Sequence, residues 1–295
     1  VYYLQEASAM SAVALLDPRP GEKICDLCAA PGGKSTQIAG RMLGQGLLLC
    51  NEYSPARAKI LSRNIERMGV ANILTVDAHD PRVHNAIPLM GFDNMMPSYQ
   101  VLKAMFQTIP HLKTTPDEFM VISPDEGALN RNMFYASMLG VPMGMFYKRR
   151  DYSKMVNGHN PIVAHEYLGN SVEGKDVFIA DDIISSGESM LDIAYALKER
   201  KARRVFCYAT YGLFVNGLEK FDKASEDGYI DAVFSTNLTY RSEELLSRSW
   251  FHEVDCSKYI SYFIAALNHD VSIGNIIDPN AKIKALMERR NKENA

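Results

Sequence analysis

VFIADDIISSGESM, residues Val177–Met190, opens on four apolar residues bounded upstream by Gly174 and Lys175, the pattern of a short buried strand over Val177–Ala180. Two adjacent carboxylates follow, Asp181 and Asp182, then a hydroxyl-rich turn, Ser185-Ser186-Gly187-Glu188-Ser189. From Met190 onward Leu191, Ile193, Ala194 and Leu197 recur at helical spacing. Strand, turn and helix in that order put the turn at the carboxyl edge of a parallel sheet, where open α/β folds bind ligands. Backbone N–H groups at the helix start, with the serine hydroxyls, suit a phosphate dianion. The paired aspartates suit vicinal sugar hydroxyls or a bridging metal. A phosphorylated sugar fits the set. An ordinary β–α connection with a capping serine and an acid pair at its rim explains the same residues, and acids and serines alone do not separate the two.

Composition narrows the classes. At 295 residues and 47% hydrophobic, the chain can bury one large or two medium cores. A net charge of −3 with 23% charged residues argues against a general nucleic-acid binder, so RNA is not an expected partner. The cysteines at 25, 28, 50, 207 and 256 are odd in number and scattered, which points to reduced thiols and a cytoplasmic protein. Cys25-Asp26-Leu27-Cys28 has a CxxC spacing, but no second pair or histidine cluster accompanies it, so core thiols are expected rather than zinc ligands. No apolar run approaches the roughly 20 residues a membrane span needs, and neither a membrane partner nor a signal peptide is expected.

At the amino end, Val1–Asp17 reads as a helix entered from a truncated chain without an initiator methionine. Lys23–Leu27 reads as a strand, Cys28–Thr36 as a glycine turn leading into a helix through Met42, Leu47–Asn51 as a second strand ending at Glu52, and Pro55–Met68 as a second helix. A βαβα run with a glycine turn after its first strand is a nucleotide-binding half-fold. Gly33-Lys34-Ser35 mimics the end of a P-loop, but that motif needs glycine at position 28, which is Cys28. Glycines that merely turn the chain are the alternative to a ligand-binding loop.

YYLQEASAM (Tyr2–Met10), DLCAAPGGKSTQIA (Asp26–Ala39) and NEYSPARAKILSRNIERMGV (Asn51–Val70) resemble the Nop2/Sun family of S-adenosylmethionine-dependent RNA cytosine-5 methyltransferases. The resemblance implies that Ala30, Pro31, Gly32, Gly33 and Lys34 line S-adenosylmethionine and that Glu52 takes its ribose hydroxyls. An acid after the second strand is also the physical expectation for a ribose partner. The likeness stops near residue 70. The family's nucleophilic cysteine stands in a Pro-Cys context, whereas the downstream cysteines here lie in Phe206-Cys207-Tyr208 and Asp255-Cys256-Ser257. Attack on cytosine needs a positioned thiolate, so methyl transfer is expected to be lost even where the cofactor binds.

From about Ala71 the chain resembles ribose-phosphate diphosphokinase, on ILTVDAHDPRVHNAIP (Ile73–Pro88), VISPDEGALNRNMFYASMLGVPMGMFYKRRDYS (Val121–Ser153) and Val177–Met190. The last stretch also resembles the phosphoribosyl-diphosphate loop of type I phosphoribosyltransferases. Against that loop, Ser185 replaces an aspartate, Ser186 and Ser189 stand for threonines, and Glu188 sits where glycine is usual, so its charge has to point away from a ligand. The resemblance implies ribose 5-phosphate and ATP as substrates, Mg²⁺ with the ATP, and a homo-oligomer. It makes Asp181, Asp182, Ser185, Ser186, Gly187, Glu188 and Ser189 the ribose-phosphate site and His79 and Asp125 metal contacts. Lys148 and Arg150 become catalytic cations of a mobile loop, Asp151–Asn160, that closes over the transferred diphosphate. On the residues alone, an isolated His79 is more often structural and Lys148-Arg149-Arg150 reads as a solvated basic turn. Asp125, in Ser123-Pro124-Asp125-Glu126-Gly127 after the strand Phe119–Ile122, suits a diphosphate–metal contact.

The expected fold class is α/β, with two parallel-sheet units: a partial Rossmann-like methyltransferase half followed by a phosphoribosyltransferase-like domain. Residues 1–75 form a methyltransferase-like βαβαβ fragment, 76–115 a remnant of the diphosphokinase amino-terminal domain and connector, and 116–295 the phosphoribosyltransferase-like domain. Further strands are expected at Arg203–Tyr208 and Ala232–Ser235, and helices at Leu218–Asp227, Cys256–Leu267 and Ala281–Arg290. The seam falls at Met68-Gly69-Val70, with no Gly/Ser/Pro-rich linker, which points to a recombinant, engineered or misassembled chimera rather than a fusion of complete domains. With the family's ATP-holding half replaced, synthesis from ATP is expected to be weak. The alternatives are a methyltransferase fragment that binds S-adenosylmethionine, and a non-catalytic phosphoribosyl-binding or oligomerising module.

Overall fold

The computed structural model describes residues 7–27, 29–52, 55–67, 72–80, 82, 85, 91–150, 162–269 and 271–293. The chain divides into two compact units, Val1–Met96 with Ala265–Ser272, and Pro97–Ile264 with Ile273–Ala295. The elements ahead of residue 97 are α1 (Ala7–Leu16), β1 (Lys23–Asp26), α2 (Gly33–Met42), β2 (Leu47–Cys50), α3 (Pro55–Arg67), β3 (Asn72–Val76) and β4 (Gly91–Met95). Strands β1 and β2 pair in parallel from Lys23↔Leu47 to Asp26↔Cys50. The strand expected at Ile73–Val76 forms, but it pairs in parallel with β4, and β1–β2 stand as a separate pair. Among the described residues, two small apolar clusters hold this unit, one of Ala29, Ala30, Leu61 and Ile65, the other of Val13, Ile38 and Met42.

After residue 97 come α4 (Ser98–Thr108), β5 (Phe119–Ser123), α5 (Leu129–Leu139), β6 (Met143–Arg150), β7 (Ile162–Leu168), β8 (Asp176–Ile184), α6 (Glu188–Glu199), β9 (Arg204–Gly212), α7 (Glu219–Glu226), β10 (Ala232–Thr236), α8 (Glu243–Leu246), β11 (Phe251–Val254), α9 (Ser257–Asn268), α10 (Gly274–Ile277) and α11 (Asn280–Glu293). Seven strands form one sheet in the order β11-β10-β9-β8-β5-β6-β7, parallel throughout except for the edge strand β7. Its central strands β5, β8, β9 and β10 are largely buried on both faces, as a parallel sheet covered on both sides requires. Along β8, Val177 and Ile179 face one core while Phe178 and Ala180 face the other; along β9, Val205 and Cys207 alternate with Phe206 and Tyr208. Met190, Ile193 and Leu197 of α6 cover the first face; Val101 and Met105 of α4, Tyr135 of α5 and Ile283 of α11 cover the second. The buried carboxylate of Asp176 opens β8 between the guanidinium groups of Arg203 and Arg204, at 2.8 and 2.6 Å.

One boundary differs in a way that matters. The strand expected to end at Ala180 runs to Ile184, because β9 continues beside it through Ile183↔Tyr211 and Ile184↔Gly212. Asp181 and Asp182 therefore sit on the strand itself rather than after it. Among the described residues no helix is long and apolar enough to cross a membrane.

Candidate functional site

From β5 the chain moves to β6 on one side, and from β8 it moves to β9 on the other. The strand order thus reverses between β5 and β8, and the crevice outside the carboxyl ends of such a pair is where open α/β sheets take ligands. The turn Ser123–Gly127 leaves β5 at this edge, and Asp181–Gly187 leads β8 into α6.

Asp181 and Asp182 are held tightly here. The Asp182 N–H donates to Asp181 Oδ1 at 2.8 Å, Asp182 is buried, and the Arg131 guanidinium of α5 lies 3.7 Å from Asp181 Oδ1. Burial first, then the hydrogen bond and charge of Asp182, push the Asp181 carboxyl up to about 8, with Arg131 opposing. Two carboxylates this close disfavour a second negative charge. Beneath them, Asn132 donates to the Ala180 carbonyl at 2.8 Å and accepts from the Ala180 N–H at 3.1 Å. After β5, the Ser123 hydroxyl donates to the Asp125 carbonyl at 2.8 Å, and the Asp125 carboxylate accepts from the Ala128 N–H at 3.1 Å, closing the turn that leads into α5.

The turn is shaped by Gly187. Its φ of +80° is left-handed, and a Cβ there would lie 2.3 Å from a Phe221 ring carbon. Phe221 cannot retreat, since it stacks on Trp250 at 5.5 Å and meets Phe214 edge-on at 5.1 Å. The Glu188 N–H donates to Ser186 Oγ at 3.4 Å. The Glu188 carboxylate is taken by Lys220 of α7 at 2.5 Å, which holds it below the usual carboxylate range and neutralises the charge that the sequence set against an anion. Ser185 and Ser189 are exposed and Ser186 half-buried. Among the described residues no three His, Cys, Asp or Glu side chains converge as a closed metal site. Two adjacent carboxylates at the switch-point edge of the sheet instead suit Mg²⁺, which is held by one or two carboxylates plus phosphate oxygens.

The other sequence-predicted residues are distributed. Lys148 and Arg150 lie at the end of β6, against His165 and Ile162 of β7 with a register shift between Arg149 and Arg150. Their side chains, and the loop Asp151–Asn160, lie outside the described residues. His79 is exposed and belongs to the first unit, Asp125 to the second. Sequence reasoning missed Arg131 and Asn132. A signal was present: Asn132 falls on the same helical stripe as Tyr135, Ala136 and Leu139, where a polar residue has to find a partner.

In the first unit the glycine turn is pinned from α3. Arg57 donates to the Ala30 carbonyl and Asn64 to the Pro31 carbonyl, each at 2.7 Å. Gly32 has a φ of +112°, and a Cβ there would meet Leu61 at 3.2 Å and Asn64 at 3.3 Å. Gly33 opens α2, Lys34 is exposed, and the Ser35 hydroxyl donates to Asp26 at 2.7 Å. The Glu52 side chain is buried, 4.0 Å from Arg57. Cys207 and Cys256 are fully buried, and burial pushes both thiols up to about 12, far from a nucleophilic thiolate. A cavity of about 370 Å³ lined by Tyr167, Val172, Glu173, Arg200 and Lys201 lies by the amino end of β8, opposite the acid pair, and gathers no convergent functional set.

Residues 94–239 match the family model for the phosphoribosyl transferase domain, and residues 13–96 that for the 16S rRNA methyltransferase RsmB/F. The chain is 29% identical over 220 residues to a ribose-phosphate pyrophosphokinase from Vibrio vulnificus, covering 74% of this chain and 65% of that protein. It is 44% identical over 98 residues to ribosomal RNA small subunit methyltransferase F from Citrobacter koseri, covering 32% of this chain and 20% of that protein. The phosphoribosylpyrophosphate synthetase of Mycobacterium smegmatis has the same fold, with a TM-score of 0.65 at 19% identity over 86% of this chain and 85% of that one. Both resemblances read from the motifs are therefore borne out, as is the α/β class with its phosphoribosyltransferase-like unit. The methyltransferase match counts against excluding RNA as a partner. The reason is physical: a net charge taken over the whole chain averages two segments of different ancestry and says little about either.

Proposed function

We propose that the second unit is a ribose 5-phosphate site of ribose-phosphate diphosphokinase type, at which diphosphate passes from ATP to the sugar's 1-hydroxyl. The observation that supports it best is the acid pair Asp181–Asp182 at the switch point of the sheet, one turn ahead of the amino end of α6. In this reading Asp181 and Asp182 accept hydrogen bonds from the ribose hydroxyls, and the turn Ser185–Ser189 with the first N–H groups of α6 holds the 5-phosphate. The 1-hydroxyl oxygen attacks the β-phosphorus of ATP, the α–β bridging P–O bond breaks, AMP leaves, and the hydroxyl proton passes to solvent. Little covalent work falls to the protein; alignment and neutralisation of spread charge dominate. Lys148 and Arg150 meet the charge on the migrating group, Asp125 serves the metal there, and His79 is a separate candidate metal contact of the first unit. Mg²⁺, when bound, supplies charge neutralisation on the phosphates.

The seam between the two ancestries lies at residues 68–70, with 1–75 of methyltransferase type, 76–115 a remnant of the diphosphokinase amino-terminal domain, and 116–295 of phosphoribosyltransferase type. The match to the methyltransferase family model runs through residue 96, and the match to the phosphoribosyl transferase model begins at residue 94. The ATP-holding half is replaced, so turnover is slow. The protein works in the cytoplasm as a homo-oligomer. Calorimetric titration with ribose 5-phosphate and MgCl₂ tests the site, and AMP release from ATP tests the chemistry. Saturable sugar-phosphate binding is expected, with AMP release at least tenfold slower than in an intact synthetase. Absence of ribose 5-phosphate binding refutes the reading. Binding with no AMP release at all leaves a non-catalytic phosphoribosyl module.

A second reading concerns the first unit. The turn Ala30–Lys34, fixed by Arg57 and Asn64 and followed by Glu52, suits S-adenosylmethionine. Cys207 and Cys256 are both buried, so the unit binds the methyl donor without transferring methyl. Titration with S-adenosylmethionine tests this independently of the sugar phosphate.

A further inference from the structure

We propose that Asn132 is a positioning residue that sets how the acid pair grips the sugar, and hence how strongly the site tells ribose from 2-deoxyribose. The inference rests on the ribose 5-phosphate reading above. Strand β5 pairs with β8 from Phe119↔Asp176 to Ile122↔Ile179 and then leaves the sheet at Ser123. Strand β8 does not stop there; it runs on to Ile184. Past the point where β5 departs, its flank toward β5 would present a bare backbone N–H and C=O at Ala180. Asn132 fills that place. Its amide oxygen accepts from the Ala180 N–H at 3.1 Å, and its amide nitrogen donates to the Ala180 carbonyl at 2.8 Å, the pair of bonds a neighbouring strand would make.

The amide is itself fixed. Asn132 Nδ2 also donates to the Ala128 carbonyl at 2.8 Å and lies 3.4 Å from Ser123 Oγ, and the residue is fully buried. Ala128 is the residue whose N–H is capped by Asp125, so the clamp ties β8 to the turn that leaves β5. The next residue in the strand is Asp181, and the preceding residue in the helix, Arg131, stands 3.7 Å from its carboxylate. Asn132 touches no reacting atom. It fixes the backbone one residue before the acid pair, so that the carboxylates meet a diol without having to be ordered on binding.

The discriminating measurement is the ratio of affinities for ribose 5-phosphate and 2-deoxyribose 5-phosphate, by calorimetry on the full chain with MgCl₂. A site built around a sugar hydroxyl rejects the analogue that lacks it. Wild type is expected to prefer ribose 5-phosphate at least tenfold. Asn132→Ala is expected to reduce the preference to threefold or less, with the affinity for inorganic phosphate unchanged within twofold. Asn132→Asp keeps the shape and the acceptor for the Ala180 N–H but loses the donor, and is expected to give an intermediate ratio if the alanine variant does not fold. A general loosening of the fold lowers both sugar affinities together and overturns the proposal, as does an unchanged ratio or the unfolding of both variants. If wild type binds neither sugar phosphate, the ribose reading falls and takes this proposal with it. If wild type discriminates and Asn132→Ala discriminates equally, only the positioning role fails.

Discussion

Asp181 carries the sharpest consequence at the scale of a single residue. Its carboxyl keeps a proton in the folded protein up to about pH 8, whereas an ordinary aspartate releases it near 3.8. Between those values the native state binds more protons than the unfolded chain, so stability falls as pH rises through that window and levels off above it. Asp181→Asn removes the group that titrates. The variant should therefore gain on wild type as pH rises from 5 to 9, by roughly 2 kcal/mol, a figure well under the full linkage value because the carboxylate is partly solvated. Urea midpoints at pH 5, 7 and 9 give the comparison, and two curves that stay parallel would show that the pair is not strained by its charge. The same substitution should cost at least tenfold in ribose 5-phosphate affinity, since an amide accepts fewer hydrogen bonds and brings no charge to a cation. Stability gained with binding lost is the pattern of a site held at a cost to the fold.

The elements around the site show what periodicity can and cannot convey. The four apolar residues Val177–Ala180, the turn and the helix beyond were legible because burial on both sheet faces and a 3.6-residue stripe leave plain sequence patterns. The extension of β8 to Ile184 was not, since it depends on β9 continuing alongside, a long-range pairing invisible in either strand alone. Nor was the place of Lys220, which sits in a different helix from the Glu188 it neutralises. Gly187 belongs to the hydroxyl-rich turn that the sequence marks, but its necessity comes from Phe221, more than thirty positions away. Gly187→Ala has to adopt a left-handed φ, about 1–2 kcal/mol, and push a Cβ into a ring already stacked on Trp250, about 1–3 kcal/mol more. A loss of about 2–5 kcal/mol in urea denaturation is expected, together with weakened phosphate binding. A loss below 1 kcal/mol would mean that α7 shifts freely under the turn.

Across the whole molecule, the two units differ in the cores that hold them. Among the described residues, the second has extended clusters on both faces of a seven-stranded sheet, while the first has two clusters of a few side chains and two strand pairs. Apolar burial is the main favourable contribution to folding, so the units should not melt together. Calorimetry is expected to give two transitions, the lower belonging to the first unit, and limited proteolysis below the upper transition should leave a resistant fragment beginning near Pro97. Ligands then assign each transition. A ligand bound only by the native state at 100 times its dissociation constant adds about 2.7 kcal/mol to the unit that binds it. S-adenosylmethionine should raise the lower transition and leave the upper in place; ribose 5-phosphate with Mg²⁺ should do the reverse. A single cooperative transition moved by either ligand would show that the joined segments fold as one body, and the description of the chain as two independent ancestries side by side would then fail at the level of energetics even though it holds at the level of sequence.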